Sequence, residues 1–441
     1  DDGYENGSVT FSAGYSPLTN LSFDIVSRFT EANNEFDGIG VTGLPADSDS
    51  ETKTSQNYSR IQANLSLYEG VWTHKAGIAL SNTDNDNFLN GIEGSSNQGK
   101  KYKFDYQTSL FLETSEITSA SHILTFALEH EVEEFTQRGA VAFGNDPNQD
   151  IRTDSTSFIG EYRITFSEEL SLSASVRHDD NKDFRDATTY RTTAAYNLDS
   201  LGLRLHASYG TGVKNPTFTE RFGFFATSLF FPFIGNPDLS PEKSRGWEIG
   251  FDKSFLDNKV NIGLTYFDEK LKDEINGFFF DPATFTTTAI NETGNSKRRG
   301  LELAGRAMLA ENWSLSANYT YLDADQPDGL GGREREIRRP ENIVNVNVNY
   351  NFLENKANIN LNVNYNGKQD DFFFAPPFFA RETVSLDSFT LVNLAASYKF
   401  SDLITLYGRI ENLLDDNYEE VLGFQGSGIG AFGGIKINIS P

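Results

Sequence analysis

The sequence predicts an all-β chain folded as one large antiparallel transmembrane β-barrel. Three observations predict it. Apolar and polar residues alternate with a period of two along many segments. Tight turns and long polar loops take turns between those segments, as they do in barrels with short turns at one end and longer loops at the other. No apolar run approaches the roughly 18 to 20 residues a spanning helix requires, which leaves strands as the way across a bilayer. The clearest segment is 342–365, where Val344, Val346, Val348 and Tyr350 alternate with Asn345, Asn347 and Asn349. After a turn at Glu354 and Asn355, Ile359, Leu361, Val363 and Tyr365 alternate with Asn358, Asn360, Asn362 and Asn364. This is a hairpin with an apolar face for lipid and an amide face for a wet lumen.

Composition narrows the function. The 441 residues carry a formal net charge of −26, which argues against nucleic acid, because a polyanion partner needs a basic surface. There is no cysteine, so neither disulfides nor thiolate metal sites hold the chain. The opening residues, DDGYENGS, are no signal peptide, and a mature or truncated chain accounts for them. With 37 Phe against one Met, the aromatic content suits girdles at membrane interfaces.

In chain order, 9–15 alternates, breaks at SPLTN, and restarts at Leu21, Phe23 and Ile25 as a longer strand reaching about Phe36. The polar stretch 37–53 predicts a long loop. Ile61, Ala63, Leu65 and Leu67 then alternate up to a tight junction at EGVWT. Tight turns recur near Glu69, Glu116, Glu168, Asp199, Asp257, Glu311, Glu354 and Asp402, with long loops between them. The pattern yields about 19 strands, the last descending through 430–439. An odd count with a descending first strand predicts absent upstream strands, and a barrel of the 22-stranded plugged type restores parity. Residues 1–441 are therefore expected to form one barrel domain, N-terminally incomplete, with no plug domain. Glu302 and Arg306, and Arg409 and Glu411, fall on lumen faces as inward ion pairs.

The chemistry-bearing residues point away from catalysis. His74, His122, His130, His178 and His206 show no metal-ligand spacing, and no catalytic motif appears. The acidic run Glu129, Glu131, Glu133 and Glu134 around His130 lies on an alternating strand, which sends neighbours to opposite faces. Acidic residues predicted in loops, Asp37, Asp47 and Asp49 in the first and Asp84 and Asp86 in the next, form a candidate calcium site, since a hard cation takes carboxylate oxygens. No other cofactor is expected. In GNPDLSPEK (235–243), Gly235 permits a tight bend and Pro237 and Pro241 fix φ where a loop re-enters a strand; Glu242 and Lys243 stand at the rim. Three loops are rich in Phe: Phe222, Phe224, Phe225, Phe230, Phe231 and Phe233; Phe278, Phe279 and Phe280; and Phe372, Phe373 and Phe374 with Phe378 and Phe379. An exposed aromatic patch of this kind marks either a binding surface or a membrane girdle. As a binding surface it suits a bulky, partly apolar ligand oriented by Asp281 or Arg381.

VRHDDNKDF, ASYGTGVKNPTFTERFGFF, GNPDLSPEKSRGWEIGF, NETGNSKRRGLELAG, RRPEN and ENLLDDNYEEVLGFQGSG, in that order, resemble the barrel of TonB-dependent outer-membrane receptors. Within that family the motifs look most like those of the cobalamin receptors. The resemblance implies a 22-stranded barrel in the bacterial outer membrane, filled by an N-terminal plug. It also implies a TonB complex as partner and active uptake of a small molecule, cobalamin or, as the alternative, a ferric siderophore. Cobalamin receptors are also similar in placing calcium ligands in extracellular loops of this region. Two departures stand out: the family usually ends in an aromatic residue whereas this chain ends Ile439, Ser440, Pro441, and a Phe-rich insertion separates two motifs at 224–233. No histidine lies between Asn215 and Pro237, where haem receptors carry one. A passive porin, or an adhesion barrel binding a protein partner through its loops, are the other classes the pattern allows.

Overall fold

The computed structural model describes residues 3–39, 45–114, 119–226, 231–281, 283–328, 332–375 and 380–438. Twenty strands form one sheet; one is the three-residue Arg333–Arg335, and the remaining nineteen are the long strands of the wall. They begin Tyr4–Leu18, Leu21–Ile39, Pro45–Leu67, Trp72–Leu89, Ile92–Thr114, Ala120–Gly139 and Gln149–Phe166. Leu170–Asn181, Ala187–Leu198, Leu203–Lys214, Glu242–Phe255, Val260–Lys272 and Asn295–Ala310 follow. Trp313–Pro327, Asn342–Phe352, Ala357–Asn366, Phe389–Lys399, Ile404–Glu411 and Gly430–Ile437 complete the order. Each long strand pairs antiparallel with the next, so every neighbour is a hairpin partner. The backbone groups of the inner strands are thereby satisfied between strands, while among the described residues Tyr4–Leu18 and Gly430–Ile437 pair on one side only and not with each other.

At one end the connections are two to four residues where described, as at 19–20, 167–169, 256–259, 311–312 and 353–356. Several of these turns use positive φ, for example Leu353, Glu354 and Asn355 at 52°, 56° and 64°. The expected turn at Glu116 lies outside the described residues. At the other end lie the long loops, with one correction. The described residues of the stretch 37–53, namely 37–39 and 45–53, are strand and not loop: Leu21–Ile39 and Pro45–Leu67 stay paired out to Ile39 and Pro45. The next connection at this end is only Asn90 and Gly91, with φ of 52° and 71°, the two positive values a type I′ hairpin turn requires. These strands rise beyond the apolar belt, where both faces meet water, so apolar alternation disappears. Threonine and amide side chains hold the extension together instead. Thr52 donates to Asn87 and Thr54 to Asn85, both at 2.8 Å.

Register assigns the faces. Leu205, Phe251, Leu264, Leu303, Tyr319 and Val344 stand directly opposite one another across successive strands, as one row of the outer belt. Such residues are exposed on the isolated chain, Ile78 and Ile435 at 65% each, because their burial partner is lipid. Aromatic rings cap the belt at both ends: Trp313 stacks on Tyr350 at 4.2 Å near the short turns, and Trp247 meets Tyr266 at 5.3 Å toward the loops. Arg409 and Glu411 face inward and bridge at 3.0 Å. Glu302 and Arg306 face inward too, but make no ion pair with each other; four residues apart on a strand, they lie more than one side-chain length from contact.

Candidate functional site

The wall of the lumen is charged on one side. Ile92–Thr114 and Ala120–Gly139 pair so that Lys101 opposes Glu133 and Lys103 opposes Glu131. Lys101 bridges Glu131 at 2.5 Å and Glu133 at 3.1 Å; Lys103 bridges Glu129 at 2.9 Å and Glu131 at 3.0 Å. Arg177 extends the chain of charges to Glu129 at 2.8 Å and Asp179 at 2.7 Å, and donates to Ser157 at 2.7 Å. Alternation thus splits the acidic run as expected, with Glu129, Glu131 and Glu133 inward and Glu134 outward on Arg152 at 3.3 Å. Half-exposed pairs of this kind contribute roughly 0 to 1 kcal/mol each, so their value is a fixed pattern of charge rather than stability.

The long connection after Lys214 brings its described residues 215–226 and 231–241 over the mouth above this network. Thr217 starts the helix Phe218–Phe222 with a capping box: its side chain accepts from the Glu220 amide at 3.2 Å, and the Glu220 carboxylate accepts from the Thr217 amide at 2.7 Å. Phe218 stacks on inward-facing Phe135 with centroids 5.6 Å apart. Gln137, 1% exposed, clamps Phe224 by donating to its carbonyl at 2.8 Å and accepting from its amide at 3.1 Å. Gln149 donates to the Phe222 carbonyl at 2.6 Å. A cavity of about 660 Å³ remains between roof and wall, lined by Lys101, Glu131, Arg177, Asp179, Phe218 and Arg221 among others. Arg221 lies over the rings of Phe184 at 4.7 Å and Phe222 at 4.6 Å. Gly235 is required by contact: a Cβ there would sit 2.4 Å from the Phe222 nitrogen.

The aromatic loops are built differently from the exposed patch the sequence suggested. Phe224–Phe225, Phe233–Ile234, Thr286–Asn291 and Ile275–Asp281 form a four-stranded loop sheet. Phe233, Leu239 and Ala289 are its buried core, with Phe225 and Ile275 packed against them. Phe231, Phe280 and Phe285 cluster alongside, Phe231 and Phe280 at 4.5 Å. Phe222 and Phe278 are half-buried, and Phe279 is exposed. Most of these rings therefore serve as the core that two long loops would otherwise lack. Phe372 and Phe373 lie half-buried on the hairpin Gln369–Ala375 and Ala380–Leu386. Arg381 is committed to Glu334 at 3.0 Å and lies over the Phe372 ring at 4.8 Å. Phe230, Phe378 and Phe379, and the Phe374 side chain, lie outside the described residues.

The acidic residues are likewise on strands, not in loops: Asp37 on Leu21–Ile39, Asp47 and Asp49 on Pro45–Leu67, and Asp84 and Asp86 on Trp72–Leu89. Asp84 accepts from Asn82 at 2.6 Å and from Gln98. Among the described residues no group of three or more His, Cys, Asp or Glu is placed to hold a metal ion.

A family model described as TonB dependent receptor-like, beta-barrel, matches residues 1–413. The chain belongs to this family of TonB-dependent receptor barrels. Such proteins are receptors and transporters, not enzymes. The chain is 27% identical over 429 residues to the vitamin B12 transporter BtuB of Photobacterium profundum, covering 95% of this chain and 62% of that protein. Solved structures share the fold. The siderophore receptor PirA of Acinetobacter baumannii superposes with a TM-score of 0.78 at 14% identity, covering 99% of this chain and 71% of that one. The Serratia marcescens hemophore receptor HasR, in complex with its hemophore HasA and heme, gives 0.76 at 16% identity, covering 98% and 71%.

Sequence reasoning missed the polar joints that fix the receptor's loops. Asp371, fully buried, accepts from Arg338 Nε at 3.0 Å and from the amides of Leu422 and Phe372, each at 2.9 Å, so one carboxylate ties three loops. Burial alone would push this carboxyl up, but the Arg338 guanidinium and the two amides outweigh it and hold it below the usual carboxylate range. Glu336, 4% exposed, takes Arg298 at 2.9 Å, and Arg298 also reaches Glu274 at 3.1 Å. The RRPEN motif holds Arg338, one half of the first joint; nothing in the sequence signals its partner. Glu242 is likewise structural, bonded to Lys214 at 2.9 Å and to the Ile275 amide at 2.7 Å.

Proposed function

We propose that this receptor barrel takes up a bulky nutrient across the bacterial outer membrane, cobalamin in first place, with transport energised through the TonB complex. The observation that carries the reading is the mouth beneath Phe218–Phe222, where an aromatic and arginine roof stands over an ordered row of lumen charges. A cavity of about 660 Å³ is in the range of small-molecule sites. Its apolar rings suit the faces of a corrin or another large flat ligand, and its fixed charges suit peripheral amides and phosphate. The likeness to a vitamin B12 transporter supports the corrinoid. A ferric siderophore is the second reading, favoured by Arg221 between two rings, which suits an anionic aromatic chelate. The four-stranded loop sheet offers a separate platform on which a protein ligand could dock.

Labelled cyanocobalamin uptake by cells carrying the natural protein, with and without a proton-motive force, tests the proposal. Saturable uptake abolished by an uncoupler is the expected result. Uptake that persists without the gradient and rises linearly with concentration would mark a passive pore, and uptake of a ferric siderophore alone would select the second reading.

A further inference from the structure

The outside of the barrel carries a feature the transport reading does not use. On the neighbouring strands Leu203–Lys214, Glu242–Phe255, Val260–Lys272 and Asn295–Ala310, directly opposed residues share a face, so the register reads as rows climbing toward the long loops. Leu205, Phe251, Leu264 and Leu303 form a row of the lipid belt. Two rows up come Tyr209 and Trp247, opposed, with the Trp247 ring 5.3 Å from Tyr266. The next row is Thr211, Arg245, Lys270 and Lys297, and the one above it contains Lys243 and Lys272. Lys243, Arg245, Lys270, Lys272 and Lys297 thus stand on the lipid-facing side, immediately above the aromatic girdle, at the depth of headgroups.

None of these five makes an ion pair or side-chain hydrogen bond among the described residues. Three other cations of the outer face are matched: Arg299 with Asp323 at 2.7 Å, Arg138 with Asp150 at 2.8 Å, and Arg152 with Glu134 at 3.3 Å. Asp268, opposite Trp247, and Asp325, opposite Lys297 and bridged to Arg333, are the carboxylates of these rows, so the five cations leave a net positive excess that an anion would neutralise. A cleft of about 1130 Å³ lies beside them, lined by Lys243, Arg245, Lys270, Lys272, Arg185 and Tyr190 together with Asp183, Asp186 and Asp273.

We infer that this patch binds the phosphate-bearing headgroup of an outer-leaflet lipid. Its phosphates would meet Arg245, Lys270 and Lys243, a sugar or glycerol moiety would lie on Trp247 and Tyr266, and the acyl chains would follow the belt at Ile249 and Phe251. A lipid fits better than a soluble anion because the basic rows continue directly into the apolar belt and are separated from the lumen mouth by the barrel wall. The inference rests on the barrel's place in a membrane and not on which nutrient it carries.

Native mass spectrometry of the whole natural protein in a neutral detergent, with added lipid A, tests it. Each Lys→Gln or Arg→Gln change among Lys243, Arg245, Lys270 and Lys272 should weaken lipid A retention about fivefold. The charge-preserving Lys243→Arg, Lys270→Arg and Lys272→Arg variants should retain it, which separates charge from misfolding. Arg152→Gln, on another part of the outer face, should change nothing. Dephosphorylated lipid A should bind far less well, and inorganic phosphate at matched concentration should not displace the lipid. Undiminished retention in the combined Gln variant, equal binding of the dephosphorylated lipid, or displacement by inorganic phosphate would each overturn the proposal.

Discussion

Asn347 and Asn360 exchange two hydrogen bonds, each side-chain amide donating to the other at 3.0 Å. They belong to a ladder in which Asn358 also donates to Asn349 at 2.9 Å and Asn362 to Asn345 at 3.1 Å. Amides that satisfy one another need no partner from outside, so the ladder makes a neutral, wettable stretch of lumen wall. The valines between them are correspondingly committed to lipid.

The two faces should respond differently to charge. Arg in place of Val346 puts a cation on the lipid face and should cost roughly 2 to 4 kcal/mol near mid-membrane. Arg in place of Asn347 breaks the exchanged pair but remains in water, and should cost about 1 kcal/mol. Urea titrations of the barrel refolded in lipid vesicles measure both, and equal costs would contradict the assignment of faces.

The roof of the mouth should be separable from the wall. Replacing Gln137 with Leu leaves the Phe224 amide and carbonyl without partners in a buried place, a loss of about 1 to 3 kcal/mol in local stability. Hydrogen exchange should rise across 218–225 while protection in the long strands stays as it was. If protection is unchanged in 218–225, the clamp does not hold the loop.

Gly235→Ala should disturb the same roof by a different cause. Its Cβ would meet Phe222 N at 2.4 Å and the Arg221 carbonyl carbon at 2.5 Å, both backbone atoms that cannot swing aside. The helix Phe218–Phe222 should lift, and proteolysis within 215–241 should accelerate with the barrel's heat resistance intact. Wild-type cleavage rates would count against the close approach.

The Asp371 joint predicts an acid limit for the loops. Its carboxyl is held below the ordinary value, so its contribution is complete above the unfolded pKa of about 3.9 and is lost as pH falls through the lower folded value. Loop order, followed by fluorescence of a probe placed in 412–429, should be flat from neutral pH to about 4 and fall below it. Asp371→Asn should show loosened loops already at neutral pH and no such fall.

How much of this was legible follows from where each signal is made. Within the bilayer one face must be apolar and the other wet, so Val344 to Tyr365 declare their strands, and nineteen wall strands follow from alternation and turns. Above the bilayer both faces are wet, and the paired extension of Leu21–Ile39 with Pro45–Leu67 looks like a loop because nothing alternates. The Phe-rich loops misled for a related reason. Composition shows that Phe233 is apolar but not whether it meets solvent or Leu239, and only the fold of two loops onto one another buries it. The lumen network was half visible: alternation placed Glu129, Glu131 and Glu133 together, while Arg177 came from a strand far along the chain. Joints such as Gln137 with Phe224, 87 residues apart, leave no local trace.

The receptor reading turns most directly on equilibrium binding of cyanocobalamin to the natural protein, compared between wild type and a variant carrying Phe218→Ala with Arg221→Ala. Saturable binding by the wild type, weakened at least about tenfold in the variant while the barrel stays folded, is the result expected if the roofed mouth is the site. No saturable binding by the wild type, or the same affinity in both proteins, would contradict it.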